Sequence, residues 1–312
     1  MERFYTNLRF HLNISVEQAK TLVTNFETGD LVFFQTYFDA LPPATFSVEN
    51  DKNAAVNSVL YVEEENIGAG GFGIIKKNKT RPFVYKSLEN KYYLSNPLIY
   101  LKSIFQEAII QTLLQSDSSH GIYICKLYRL YRAGPNTCIF QMESLMMTTL
   151  GKFIRDKEES YLANPEPLNK MLQKKLIKIL EIINYFNTAY GFSHNDLSLE
   201  NIMIHRNNIK LIDFGLSSVN FGTIQIGKKI KSRTDQNYLC SKLATYLDIN
   251  PNEFSKYLET LAMMPPETPI QTYITMLKSQ ITKSQTAKKS QTAKKSQTKK
   301  AQTKKPKKLK ST

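Results

Sequence analysis

The stretch IGAGGFGII, residues 67 to 75, spaces Gly68, Gly70 and Gly73 as G-x-G-x-x-G, and the strand-like residues on its C-terminal side limit the fold. Glycines let backbone approach a phosphate closely, with N–H groups free to donate. In a doubly wound dinucleotide fold such glycines lead from a strand into a helix. Here Ile74 and Ile75 carry on past the glycines and FVYKSL resumes after an Asn-Lys turn, so residues 57 to 87 read as β-branched and aromatic runs broken by turns. That is how antiparallel strands read. By itself the repeat is equally well a mere glycine-rich turn; in this setting a strand-loop-strand flap over a nucleotide fits it better than a dinucleotide fold.

The order of later elements extends this reading. LKSIFQEAIIQTLLQS places Leu101, Ile104, Phe105, Ile109, Leu113 and Leu114 three and four apart, predicting a helix with one buried face. IYICKLYRLYRA and NTCIFQMESL read as two further strands meeting near Gly134-Pro135. From Glu166 a long helix carries Leu172, Leu176, Ile179, Ile183 and Phe186 along one side, then NIMIHR and IKLIDF form short strands about Asn207-Asn208. The remainder, through about Met276, is helical with loops. Strands first and helices later predict an α+β chain, with a small antiparallel β lobe (residues 57–143) followed by a larger α-helical lobe (144–277). Residues 1–56 read as a helical N-terminal extension: EQAKTLVTNF has helical spacing, LVFFQTYF is aromatic-rich, and Leu41-Pro42-Pro43 ends the run. Its Phe and Leu stripe is packing surface rather than a ligand site.

The net charge of +15 is unevenly spread. Residues 278–312 hold thirteen Lys and no acid, so of 42 basic groups only 29 face the 27 acids of the preceding chain. The Ser-Gln-Thr-Lys repeats of this tail cannot offset the entropy of ordering, and disorder is expected from about Lys278. Its lysines suit nucleic acid or another anionic surface, and KKPKKLK also reads as a nuclear import signal. No run of about 18 apolar residues occurs and the first residues lack an uninterrupted apolar stretch, so a soluble, intracellular protein without membrane contact is expected. Cys125, Cys138 and Cys240, with no CxxC pair, read as buried free thiols.

The chemistry concentrates elsewhere. Lys86 follows Phe83 and Val84 in a strand, so its ammonium emerges among apolar groups and needs an anion. Glu107 is the only acid on the following helix after Leu101. Taken singly, each is better read as a surface Lys and an unrelated helical Glu. HNDLSLEN, residues 194–201, then presents Asp196 and, five positions on, Asn201; Asp213 follows in LIDFG. An Asp that orients a hydroxyl, with an Asn and an Asp offering oxygen to a hard cation, is what phosphoryl transfer from ATP requires. His194 is read as holding the loop rather than moving protons.

From about Leu60 to Asp235 these motifs, in this order, resemble the protein kinase superfamily. The resemblance implies a bilobal kinase-like fold that uses ATP and Mg2+ and acts on protein substrates. By it, Ile67, Gly68, Gly70, Gly71, Phe72, Gly73 and Ile75 cover the nucleotide, and Lys86 contacts its phosphates while pairing with Glu107. Asp196 is then the catalytic Asp, and Asn201 and Asp213 bind metal. Met142 to Leu145 looks like the segment joining the lobes, where backbone groups at Glu143 and Leu145 hold adenine. Departures are Asn195, where most members carry Arg to receive a phosphorylated activation loop; Ser198, where serine/threonine kinases commonly carry Lys; and the absence of an APE motif. Asp235, only 22 residues after Asp213, stands where the family's large-lobe helix Asp is expected. These traits look like divergent serine/threonine kinases of large DNA viruses, for which the cytoplasm or nucleus of a host cell, or the virus particle, is the expected location. Basic or nucleic-acid-associated proteins are the expected substrates. A pseudokinase binding module and a choline- or ethanolamine-type small-molecule kinase are the alternatives.

Overall fold

The computed structural model describes residues 1–47, 59–61, 64–70, 73–78, 82–89, 96–229 and 234–282. The chain opens with α1 (Glu2–Leu12), α2 (Val16–Thr24) and α3 (Leu31–Ala40). Ser15 and Gln18 form a reciprocal capping box at the start of α2, and the Asp30 carboxylate accepts from the Phe33 N–H at the start of α3. Next come β1 (Thr45–Ser47), β2 (Val59–Tyr61), β3 (Glu64–Gly70), β4 (Gly73–Asn78) and β5 (Phe83–Glu89). After them α4 (Pro97–Gln115) leads to β6 (Leu127–Arg132) and β7 (Thr137–Glu143). One antiparallel sheet runs β3-β4-β5-β7-β6, so β3 to β5 are neighbours in chain order, as their sequence reading as antiparallel strands requires, while β7 rather than β6 lies beside β5; β2 stays outside the sheet and pairs in parallel with β1.

The extension is part of the same core rather than an appendage. Phe4, Leu8, Leu22, Phe34 and Phe38 are fully buried in one cluster with Ile104, Phe105 and Ile109 of α4. This corrects the one-faced reading of α4, on which Glu107, Gln111 and Thr112 are buried as well as the apolar positions. A helix covered on both sides needs two partners, and here the sheet and the N-terminal helices supply them. Beyond α3 the chain joins the sheet edge: the Arg132 N–H donates to the Pro42 carbonyl at 2.9 Å and the Ala44 N–H to the Arg132 carbonyl at 2.8 Å. Those bonds occupy edge groups of β6 that would otherwise be open to another strand.

His11 fastens this arrangement. Its Nδ1 lies 2.7 Å from the Tyr128 carbonyl, which can only accept, so Nδ1 carries the proton and Nε2 accepts from the Gln115 amide, also 2.7 Å away. Burial is the main cause that lowers its pKa to about 4, with the charge of Arg129 adding to it and the Tyr128 bond opposing. A depressed histidine stabilises the fold fully above its unfolded value of 6.5 and loses that contribution as pH falls toward 4. Thermal melting is therefore expected to weaken between those pH values by at most about 3 kcal/mol. His11→Gln should flatten this part of the profile, and an unchanged slope in the variant would assign it to other groups.

The second half is mainly helical. It comprises β8 (Thr148–Thr149), α5 (Leu150–Arg155), α6 (Glu158–Ala163), α7 (Pro165–Tyr190), β9 (Ile202–His205) and β10 (Asn208–Leu211). A hairpin of β11 (Val219–Phe221) and β12 (Ile224–Ile226) then precedes α8 (Asp235–Leu247), α9 (Glu253–Ala262) and a last helix, α10, over 270–282. Gly191 ends α7 in the left-handed region at φ 58°, and a Cβ there would lie 2.4 Å from the Asn220 carbonyl, so only glycine fits. α10 continues beyond the expected start of the tail at Lys278: Leu277 is fully buried and the Lys278 ammonium pairs with Glu181 at 2.8 Å. The repeats from 283 onward lie outside the described residues. Among the described residues no helix is long and apolar enough to cross a membrane, and the three cysteines are free and buried.

Candidate active site

Lys86 occupies the middle of the sheet, opposite Ile75 on β4 and Phe140 on β7. Its ammonium donates to Glu107 Oε1 at 2.8 Å and Oε2 at 3.0 Å, and to Asp213 Oδ1 at 2.8 Å. The Lys86 and Glu107 side chains are 6% and 3% exposed, which replaces the surface-Lys reading with a desolvated ion pair. Burial alone would push the lysine's pKa down; the charges of Glu107 and then Asp213 overcome it and raise it, so the ammonium is held charged. Burial pushes the Glu107 carboxyl up, aided by the Asp213 charge and opposed by Lys86. Burial also opposes ionisation of Asp213, yet the Lys86 charge and hydrogen bond leave its carboxyl below the usual range.

The glycines end β3 and open β4, with Gly68 opposite Ile75 and Gly70 opposite Gly73. The register shifts between Asn66 and Gly68, at Ile67. Gly71 and Phe72 lie outside the described residues. Strand thus leads to strand through the glycines, as the flap reading requires.

The loop that carries Asp196 is held from below by Asp235. This buried carboxylate, at the first position of α8, accepts from the His194 N–H (2.6 Å), the Asn195 N–H (2.8 Å) and the Ser193 hydroxyl (3.2 Å). The first residue of α8 is thereby paired with a loop 40 positions earlier, in keeping with the sequence placement of Asp235. His194 is fully buried; its Nε2 donates to the Ile212 carbonyl at 3.1 Å and its ring lies 5.5 Å from that of Phe214. Those contacts suit a loop-holding residue. Asn201 donates through Nδ2 to the Asp196 carbonyl at 2.9 Å and to its Oδ2 at 3.0 Å, and the Ile212 N–H donates to the Asn201 carbonyl. Since the amide nitrogen is committed to Asp196, the Asn201 side-chain oxygen is the atom left to accept or ligate. Asp213 adopts φ 62° just beyond β10, where it reaches Lys86.

The Glu143 N–H donates to the Lys126 carbonyl and the Ser144 N–H to the Pro82 carbonyl, so both amides are used within the protein. The Glu143 carboxylate turns toward Lys210, whose ammonium meets it at 2.9 Å, and also accepts from the Lys126 N–H. Leu145 keeps an amide without a partner among the described residues. Lys210 was missed in the sequence because it alternates with Ile209 and Leu211 as an ordinary outward strand residue. Gln106 was also missed: it donates to the Gly215 and Ser217 carbonyls, and nothing marks a Gln on a helix for such a task.

Asn201 and Asp213 provide amide and carboxylate oxygen, the donor types that magnesium prefers, and Lys86 provides a fixed cation beside Asp213, so these residues fit a metal-bound nucleotide. The profile of the protein kinase domain family matches residues 61–240, more than half of the chain. This chain belongs to the protein kinase domain family. Kinase domains in general use ATP with a divalent metal and act on proteins. Among solved structures, the BubR1 kinase domain is similar at 14% identity and a TM-score of 0.49, covering 84% of this chain and 93% of that one. The PF14_0431 kinase domain is similar at 18% identity and a TM-score of 0.41, covering 58% of this chain and 61% of that one. Curated protein sequences offer no significant match.

Proposed function

We propose that this kinase domain transfers the γ-phosphate of ATP, with Mg2+, to serine or threonine hydroxyls of protein substrates. The observation that carries the reading is the buried Lys86 held by Glu107 and Asp213 together, which fixes one cation where the nucleotide's phosphates would lie. In this mechanism Asp196 orients the substrate hydroxyl and takes its proton as oxygen attacks the γ-phosphorus and the bond to the β-phosphate oxygen breaks. Asn201 and Asp213 would hold the metal, which neutralises phosphate charge when bound. Glu107 positions Lys86, and the Leu145 amide, without a partner among the described residues, is the donor for a base edge. Ser198 leaves one cation fewer near the transferred group than serine/threonine kinases commonly have, so transfer is expected to be slower than in a member with Lys there.

Ser198 and the short segment after Asp213 also favour a second reading, a nucleotide- or partner-binding module without transfer. Labelled ATP and magnesium offered with histone, casein, myelin basic protein or choline separates the readings. Label on protein that vanishes in Asp196→Ala supports the first; label on choline alone supports a small-molecule kinase; binding without transfer supports the module.

The Lys-rich tail is proposed to add nucleic-acid contact, and the chain to act inside a cell, in the manner of the divergent kinases of large DNA viruses. Because α10 packs through residue 282, truncation belongs after that residue rather than at Lys278. The truncated protein is expected to keep transfer to a short peptide and to lose retention on DNA at low salt. Retention equal to that of the full chain would rule the tail out.

A further inference from the structure

Asn195 is the least ordinary residue of its loop. Its φ of 62° lies in the left-handed region, which Asn tolerates better than most residues with a side chain. Its Oδ1 accepts from the Ser193 hydroxyl at 2.9 Å. Its Nδ2 donates to the Leu216 carbonyl at 2.8 Å and the Lys228 carbonyl at 3.0 Å, with Ser218 Oγ 3.4 Å away. Leu216 and Lys228 flank the β11-β12 hairpin, so a single amide ties both of its ends to the loop that carries Asp196.

Gln106 acts on the same segment from α4. Its Nε2 donates to the Ser217 carbonyl at 2.9 Å and the Gly215 carbonyl at 3.3 Å. Gly227, at φ 71°, passes so close that a Cβ there would lie 2.6 Å from the Ser217 carbonyl and 3.0 Å from the Gln106 amide. Ser193 and Ser218 exchange backbone hydrogen bonds at 2.9 and 2.8 Å beside them. Two uncharged amides thus satisfy four carbonyls between Gly215 and Lys228, immediately after Asp213.

We propose that Asn195 and Gln106 are positioning residues that fix the segment from Gly215 to Lys228, and through it Asp213, by neutral amide hydrogen bonds, so that phosphotransfer needs no phosphate on that segment. The proposal rests on the phosphotransfer reading above. A segment ordered by phosphorylation gains its order from new charge-assisted bonds to cations. Here the same order comes from donors already matched to main-chain acceptors, whose strength does not depend on a modification.

Asn195→Asp tests it with almost no change of shape, because it replaces the donating NH2 by an oxygen facing carbonyl oxygens. Asn195→Gly keeps the left-handed backbone without the amide, and serves if the aspartate variant does not fold. Each is expected to speed tryptic cleavage after Lys228 and Lys229, to raise the Mg2+ concentration for half-maximal activity, and to lower kcat by about tenfold to a hundredfold with little change in the KM for ATP. Wild-type protein dephosphorylated to its unmodified mass should keep its activity. Wild-type cleavage and kcat in both variants, or loss of wild-type activity on dephosphorylation, would overturn the proposal. If the wild type transfers no phosphate at all, the phosphotransfer reading fails, and the cleavage comparison still decides whether Asn195 holds the segment.

Discussion

Lys86→Met is expected to lower stability by about 3–5 kcal/mol and to cut kcat by about a hundredfold or more, and the two losses should be separable. The methionine fills similar space but leaves Glu107, 3% exposed, as a buried carboxylate beside Asp213 with no cation between them. Breaking a buried pair from one side costs the desolvation of the survivor, whereas removing both charges costs much less. The double variant Lys86→Met/Glu107→Gln should therefore regain most of the melting temperature while transfer stays lost. The raised pKa of Lys86 sets where to measure: its contribution is fully present below the ordinary value of 10.5 and is lost only as pH rises through the higher folded value. Denaturation at neutral pH sees all of it. Transfer at the wild-type rate by the double variant would show that the Lys86 ammonium is not needed for the reaction, and would remove it from the proposed site.

The site was legible where chemistry sits in short, ordered motifs. Lys86, Glu107, Asp196, Asn201, Asp213 and Asp235 are spread over about 150 residues, yet the fold brings Lys86, Glu107 and Asp213 into direct contact and sets Asp235 under the loop of Asp196. What pairwise order could not show was covering and reach. α4 read as one-faced because Leu101, Ile104, Phe105, Ile109, Leu113 and Leu114 already make a stripe; Tyr100, Ala108 and Ile110 widen it round the helix, and that width was the overlooked sign of a second partner. Strands as short as Val219–Phe221 and Ile224–Ile226 carry too few residues for an alternating pattern to register. Asn195 was visible as a departure, but its partners Leu216 and Lys228 are main-chain oxygens, which leave no trace in sequence. The expected start of the tail at Lys278 falls within α10 because this part of the helix is amphipathic enough to pack, with Leu277 inward and Lys278 outward on Glu181.

The covering of α4 leads to the second large effect. Phe34→Ala is expected to reduce phosphotransfer per folded molecule, beyond the loss of stability of about 3–5 kcal/mol that a buried Phe→Ala change brings. Phe34 is fully buried and its ring stacks on Phe105 of α4 at 6.0 Å, while Tyr37 meets the same ring edge-on and Phe38 meets Tyr100. Residues two apart on a helix point about 200° from each other, so Phe105 faces the N-terminal helices when Glu107 faces Lys86. The aromatic brace and the ion pair thus act on opposite sides of one turn. Lys102 adds a hydrogen bond from its ammonium to the Glu27 carbonyl at 3.0 Å, α1 contributes Asn7 to Ser116 at 2.8 Å, and α2 touches β12 of the hairpin. A cavity at Phe34 lets α4 settle away from the sheet and lengthens the contact between Lys86 and Glu107. Phe34→Leu, which keeps most of the volume, should retain most of the rate. Assays well below the melting temperature of each variant separate the effects: a lower melting point with an unchanged kcat would make the N-terminal helices a stabilising cover with no part in holding Glu107.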